Sequence, residues 1–138
     1  MRAFAKAIGL SACLFVIAGG AQAFELDGAW VTNETTCNKV FANRGGRTVL
    51  TKDADLYGSG FVIDRNLIRG KVVTCAIKAR KEDGGIHYLV AACSNDVALQ
   101  NVQFSYKPEG DNKITRFFSA LPGLDTSYYR CPLQAGVR

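Results

Sequence analysis

About eight short antiparallel strands, closed as a small up-and-down barrel or doubled over as a two-sheet sandwich, is the all-β fold this chain points to. Three observations lead there. Turn residues recur at short intervals, with β-branched and aromatic runs between them. There is no repeat, low-complexity stretch or linker to divide the chain. An N-terminal export leader is followed by four cysteines, Cys37, Cys75, Cys93 and Cys131, which suits a small domain closed by two disulfides.

The elements follow in order. Gly28-Ala29-Trp30-Val31-Thr32 reads as a first strand and carries the only Trp. Asn33 is placed to cap one short helix near residues 34–42, on which Cys37, Val40 and Phe41 share a face at i, i+3 and i+4. Asn43-Arg44-Gly45-Gly46 ends that helix, and Thr48 to Thr51 forms a short strand. Gly58-Ser59-Gly60 breaks the chain before a strand at Phe61-Val62-Ile63-Asp64. Asp64-Arg65-Asn66 then turns it into one long strand from Leu67 to Lys81. Asp83-Gly84-Gly85 turns into Ile86 to Cys93, and Ser94-Asn95-Asp96 leads to Val97 to Tyr106. The Pro108 to Asn112 segment leads to Lys113 to Phe118, and Pro122 with Gly123 precedes a last strand at Ser127 to Cys131. Strands joined by short turns pair antiparallel with their neighbours. A meander of this length closes or doubles over to hide its edges.

Four cysteines allow three pairings, and spacing alone does not choose among them. A hairpin loop of Asp83-Gly84-Gly85 sets Glu82 opposite Ile86, and counting outward sets Cys75 opposite Cys93. Directly opposed strand residues are close enough to bridge. That leaves Cys37 with Cys131, a long closure that stabilises by roughly 4 kcal/mol on the chain-entropy account. No C-x-x-C occurs and His87 is the only histidine, so structural disulfides are expected rather than a metal or redox site.

Residues 1–23 have the parts of a cleavable signal peptide: basic Arg2 and Lys6, an apolar run from Ala7 to Gly19, and Ala21-Gln22-Ala23 as cleavage site. Residues 24–138 are then a single disulfide-bonded β domain, periplasmic or secreted. The apolar run is too short to span a bilayer, and no later segment is longer, so no transmembrane segment is expected after signal removal. Leu10-Ser11-Ala12-Cys13 has the form of a lipobox. Cleavage there would leave a very short apolar core and strand Leu14-Phe15-Val16-Ile17 on the product, so Cys13 lipidation is the lesser reading.

Two of the 17 basic residues and none of the 12 acids lie in the leader, which leaves 15 against 12. That mild excess is not the dense field of a nucleic-acid binder. Basic residues cluster at Arg65, Arg69, Lys71, Lys78, Arg80 and Lys81. Most simply this is a solvated hairpin rim; read functionally, it is a binding rim for anionic lipid, glycan or an acidic protein.

No catalytic, cofactor or metal site is assigned. His87 would need a nucleophilic Ser and an acid beside it. Ser59, Ser94 and Ser127 lack a nucleophile-elbow setting, and His87 falls in an exposed position opposite Lys81. Asp53-Ala54-Asp55, Gly58 and Asp64 have part of a calcium-loop spacing, but Tyr57 stands where an oxygen donor belongs. Tyr106, Phe117, Phe118, Tyr128 and Tyr129 read as core and cross-strand pairs, some of which would line the mouth of an open barrel.

The landmarks Gly28-x-Trp30, Cys37, Cys75-Ala76-Ile77, Ala91-Ala92-Cys93 and Tyr129-Arg130-Cys131 resemble a pattern common among small exported four-cysteine β-proteins of alphaproteobacteria. The resemblance covers essentially all of residues 24–138 and implies export and a disulfide-bonded β domain, not an activity. Gly28-x-Trp30 with a nearby cysteine is also similar, more weakly, to the opening of exported eight-stranded barrel inhibitors of proteases and lysozymes. Their inhibitory segments have no counterpart here, and the basic charge disfavours a basic lysozyme as target.

The expectation is an exported, non-enzymatic binding module of the cell envelope, either an enzyme inhibitor or an anionic lipid or glycan binder. Its contacts would come from the loop Asp53 to Gly60 and from the basic rim. A small envelope hydrolase built on Asp53, Asp55, Asp64 or His87, or a structural envelope protein with no discrete ligand, are the alternatives.

Overall fold

The structure, a computed structural model, describes residues 24–132. The leader and Cys13 lie outside them. Strands β1 (Gly28–Val31), β2 (Phe41–Arg44), β3 (Arg47–Leu50), β4 (Gly60–Asp64) and β5 (Leu67–Arg69) make up the first half. Strands β6 (Thr74–Asp83), β7 (Ile86–Ser94), β8 (Leu99–Pro108), β9 (Lys113–Arg116) and β10 (Thr126–Cys131) make up the second. Eight of them close as an antiparallel barrel in the order β1-β4-β5-β6-β7-β8-β9-β10, with β10 returning to β1. The barrel form is therefore adopted, not the sandwich. Strands β2 and β3 form a separate hairpin, inserted between β1 and β4. Among the described residues no helix is long and apolar enough to cross a membrane.

Alternation along the strands builds two cores on the two faces of one wall. Trp30, Phe61, Ile63, Ile68, Leu89, Ala91, Phe104, Tyr106, Ile114 and Tyr128 face inward and fill the barrel. Ala29 and Val31 of β1, Val62 of β4 and Cys131 of β10 face outward and are covered by Val40, Phe41 and Ala54 of the insertion. The insertion begins with a 3-10 turn (Glu34–Thr36) and runs into α1 (Cys37–Val40). Asn33 caps this segment, its side chain accepting from Thr35 N. The Cys37–Cys131 bridge, at a Cα separation of 5.6 Å, ties the insertion to the last strand.

Four expectations are corrected. The helix stops at Val40; Phe41 is the first residue of β2, where it packs on the barrel wall. Gly45-Gly46, at φ +59° and +78°, is the two-residue turn of the β2–β3 hairpin rather than a helix terminator. Leu67 to Lys81 is two strands, because Gly70 N donates to Val73 O at 2.8 Å and folds the chain back. The β6–β7 loop is Gly84-Gly85 alone, so Glu82 faces His87 rather than Ile86.

That last shift would have moved Cys75 off Cys93. A bulge at Lys78, between the pairs Ile77–Ala91 and Ala79–Val90, restores the count. Cys75 and Cys93 stand opposed and bonded, 3.9 Å apart at Cα.

Candidate binding site at the open end of the barrel

An antiparallel meander sends alternate connections to opposite ends. One end collects the N-terminal segment 24–27 and the turns at 65–66, 84–85 and 109–112. The other collects the insertion 32–59 and the connections 70–73, 95–98 and 117–125.

The first end is closed by side chains. Arg130, inward-facing opposite Trp30, lies over the Trp30 ring at 4.3 Å and the Phe24 ring at 5.6 Å. Its Nη1 donates to Asp27 O at 2.7 Å, Nη2 to Glu25 O at 2.5 Å, and Nε to Asp111 O at 3.2 Å. Burial lowers the Arg130 pKa, and Glu25, Asp111 and Asp27 oppose that shift, so the guanidinium stays charged. Trp30 is fully buried and donates Nε1 to Leu26 O at 2.9 Å. The His87 ring packs on Phe24 at 5.8 Å, so His87 is a half-buried part of this plug and faces Glu82 and Tyr106, not Lys81.

The second end is open. A cavity of about 280 Å³ enters the barrel there, lined inside by Phe61, Ile68, Phe104, Tyr106 and Tyr128 and at its lip by Ala54, Gly58, Val72 and Val73. Phe61 meets Tyr128 edge-on at 4.9 Å, and Phe104 stacks on Tyr106 at 6.1 Å. Burial pushes the Tyr106 phenol pKa up, with Arg116 opposing the shift, so Tyr106 stays neutral.

Arg116 joins Asp55 and Lys71 as the charged residues that line this cavity. It follows inward-facing Ile114 by two residues on β9, so alternation turns it into the barrel mouth. Its guanidinium lies 4.7 Å from the centre of the Phe104 ring and 4.6 Å from that of the Phe118 ring. Its Nε is buried with no hydrogen-bond partner, and no carboxylate among the described residues pairs with it.

The loop Asp53 to Gly60 does reach this mouth, through the 3-10 turn Ala54–Tyr57 and the following glycines. Gly60 is held tightly: a Cβ there would meet Trp30 O and Phe41 Cζ at 2.9 Å. Lys71 reaches the same lip, pairing with Asp55. That hydrogen bond holds the Asp55 carboxyl below its ordinary pKa.

The other members of the basic cluster stand elsewhere. Arg65 and Arg69 pair with Asp64, at 3.4 and 3.8 Å. Arg80 approaches Asp27 and donates to Arg65 O, and Lys81 approaches Asp83 at 3.9 Å. Lys78 is the exposed bulge of β6. The six residues therefore spread over both ends and the outer wall, and five of them face a carboxylate. A second groove, of about 690 Å³ beside the β2–β3 hairpin, sets Arg47, Arg65 and Arg69 against Glu25, Asp27 and Asp64.

Arg116 was invisible to a reading that looked for charge clusters. The signal that finds it is its place two residues after Ile114, in step with the core. Among the described residues no group of three His, Cys, Asp or Glu side chains is placed to hold a metal ion. Comparison of the chain with protein-family models, curated proteins and solved structures finds no match.

Proposed function

We propose that this chain is an exported, non-enzymatic binding module that works through the open end of its barrel. The observation that carries the reading is the one-sided distribution of exposed apolar side chains. Leu56, Tyr57, Val72, Val97, Leu121 and Leu124 belong to the insertion or connections at the open end, Leu99 is the first residue of β8 at that end, and Val97 is 91% exposed. Among the described residues only Leu67 is comparable at the closed end, with Val90 on the outer wall. Gathered apolar exposure beside an aromatic cavity is the character of a contact surface. The ligand classes in view are an envelope or extracellular protein and an anionic lipid or glycan. Export rests on the leader and on the two disulfides, which persist in oxidising compartments.

The non-enzymatic part draws on where the candidate groups stand. His87 is packed on Phe24 in the closed end. Asp55 is paired with Lys71, and Asp64 with Arg65 and Arg69, at opposite ends of β4. Each of these two acids is thus set against a cation rather than beside a second carboxylate.

The test is retention of envelope components by the immobilised, oxidised protein at low and high salt. Apolar contact survives salt, whereas exposed charge contact is screened. The expected ligand stays through high salt and is lost when Val72, Val97 and Leu121 are changed together to Ser. A ligand that washes off with salt, and is lost instead on neutralising Lys78, Arg80 and Lys81, would contradict the reading.

A further inference from the structure

We infer that Arg116 is the anchor for a small monocarboxylate carrying a single apolar chain or ring, with the carboxylate on the guanidinium and the apolar part between Phe61, Phe104 and Tyr128. This deepens the open-end reading and rests on it.

Each part of the ligand follows from a feature of the site. The cavity of about 280 Å³ lies just below the usual range for ligand pockets, roughly 300–1,000 Å³. That admits one chain or ring and excludes a two-chain lipid. The inner walls are aromatic and aliphatic, which fits an apolar body. The charge on the ligand follows from Arg116. Lys71, at the lip, is already paired with Asp55, and Arg130 donates to backbone carbonyls at the far end. Arg116 lines the cavity with no carboxylate paired to it and no partner for its Nε among the described residues. One guanidinium balances one negative charge. A phosphate dianion would bring a second charge into an apolar mouth with nothing to meet it. A carboxylate also matches the planar fork of guanidinium donors.

The two phenyl rings explain how the site stays ready. Phe104 and Phe118 both hold the guanidinium, through cation–π contact that competes little for its N–H groups. Phe118 opens the 117–125 connection, which is fastened to β8 by Phe117 N donating to Ser105 O at 3.1 Å. Arg116 is therefore oriented without its donors being used up.

The experiment is calorimetric titration of the oxidised protein with octanoate and, separately, octanol, which has the same chain without the charge. Octanoate is expected to bind at least tenfold more tightly than octanol. Arg116→Gln should erase that difference while still binding octanol, and Arg116→Lys should retain part of it. Trp30 fluorescence reports whether each variant keeps the barrel closed end intact. Equal binding of acid and alcohol by the unaltered protein would overturn the anchor while leaving an apolar cavity in place. Binding of neither would overturn the inference, and the open-end surface would then stand or fall on the retention experiment with the serine variants.

Discussion

Arg116, a cation against two phenyl rings with a buried Nε that nothing accepts from, costs about 1–3 kcal/mol for the unmade hydrogen bond. Structures rarely keep such a group without a use for it. At the same mouth the Asp55–Lys71 pair has the opposite character, fully partnered and exposed. Its carboxyl pKa is depressed in the fold, so the pair contributes above the unfolded pKa, and that contribution is lost as pH falls through the folded value. The expected result in an NMR titration is an Asp55 midpoint below the ordinary carboxylate value. Added salt should move it back up, because an exposed pair is screened. A midpoint at or above the ordinary value would contradict the pair. Single residues were legible in the sequence where they follow the alternation of a strand, as Trp30 and Tyr106 do. His87 was misplaced because a one-residue difference in the Gly84-Gly85 loop changes which residue it faces.

At the level of elements, the β6–β7 hairpin shows how pairing can survive an error in register. The loop has two residues, with Gly84 and Gly85 at φ +59° and +77°. Without the extra residue Lys78, a hairpin of that loop has Cys75 opposite Cys93 and keeps Ile77 inward and Ala79 outward, as they are now. Deleting Lys78 should therefore remove the bulge and leave the Cys75–Cys93 bridge intact. Peptide mapping of the oxidised deletion variant checks this, and scrambled pairing would contradict it. The strands were legible because turns punctuate them. The break at Gly70 was not, since Val72 and Val73 extend the β-branched run across it and the one signal is a lone glycine. The β2–β3 hairpin was hidden for a different reason. Cys37, Val40 and Phe41 match a helical face, yet Phe41 follows the last helical residue and packs as a strand residue against the outer wall.

At the scale of the whole molecule, the barrel is asymmetric along its axis. Arg130, Trp30, Phe24 and His87 plug one end, while the insertion and the 70–73 connection border an opening at the other, the end to which the 95–98 and 117–125 connections also run. The insertion also buries the outer faces of β1, β4 and β10, and the Cys37–Cys131 bridge holds it there. With the two cysteines 94 positions apart, that bridge stabilises by roughly 4–5 kcal/mol on the chain-entropy account. A closed wall with one plugged end leaves the open end as the place where sequence is not committed to the core. The eight-stranded class and both disulfides were legible from turn rhythm and cysteine placement. The division into a closed and an open end was not. It depends on which inward side chains meet across the barrel, and no local pattern carries that.

Chemical-shift mapping shows whether the open end does the binding. The oxidised, isotope-labelled protein would be titrated with the component retained from envelope extract. Shifts are expected at residues 54–60, 70–73, 95–99 and 116–125, with Phe24, His87 and Arg130 unmoved. Shifts gathered instead around Phe24, Arg80 and Arg130 would contradict it.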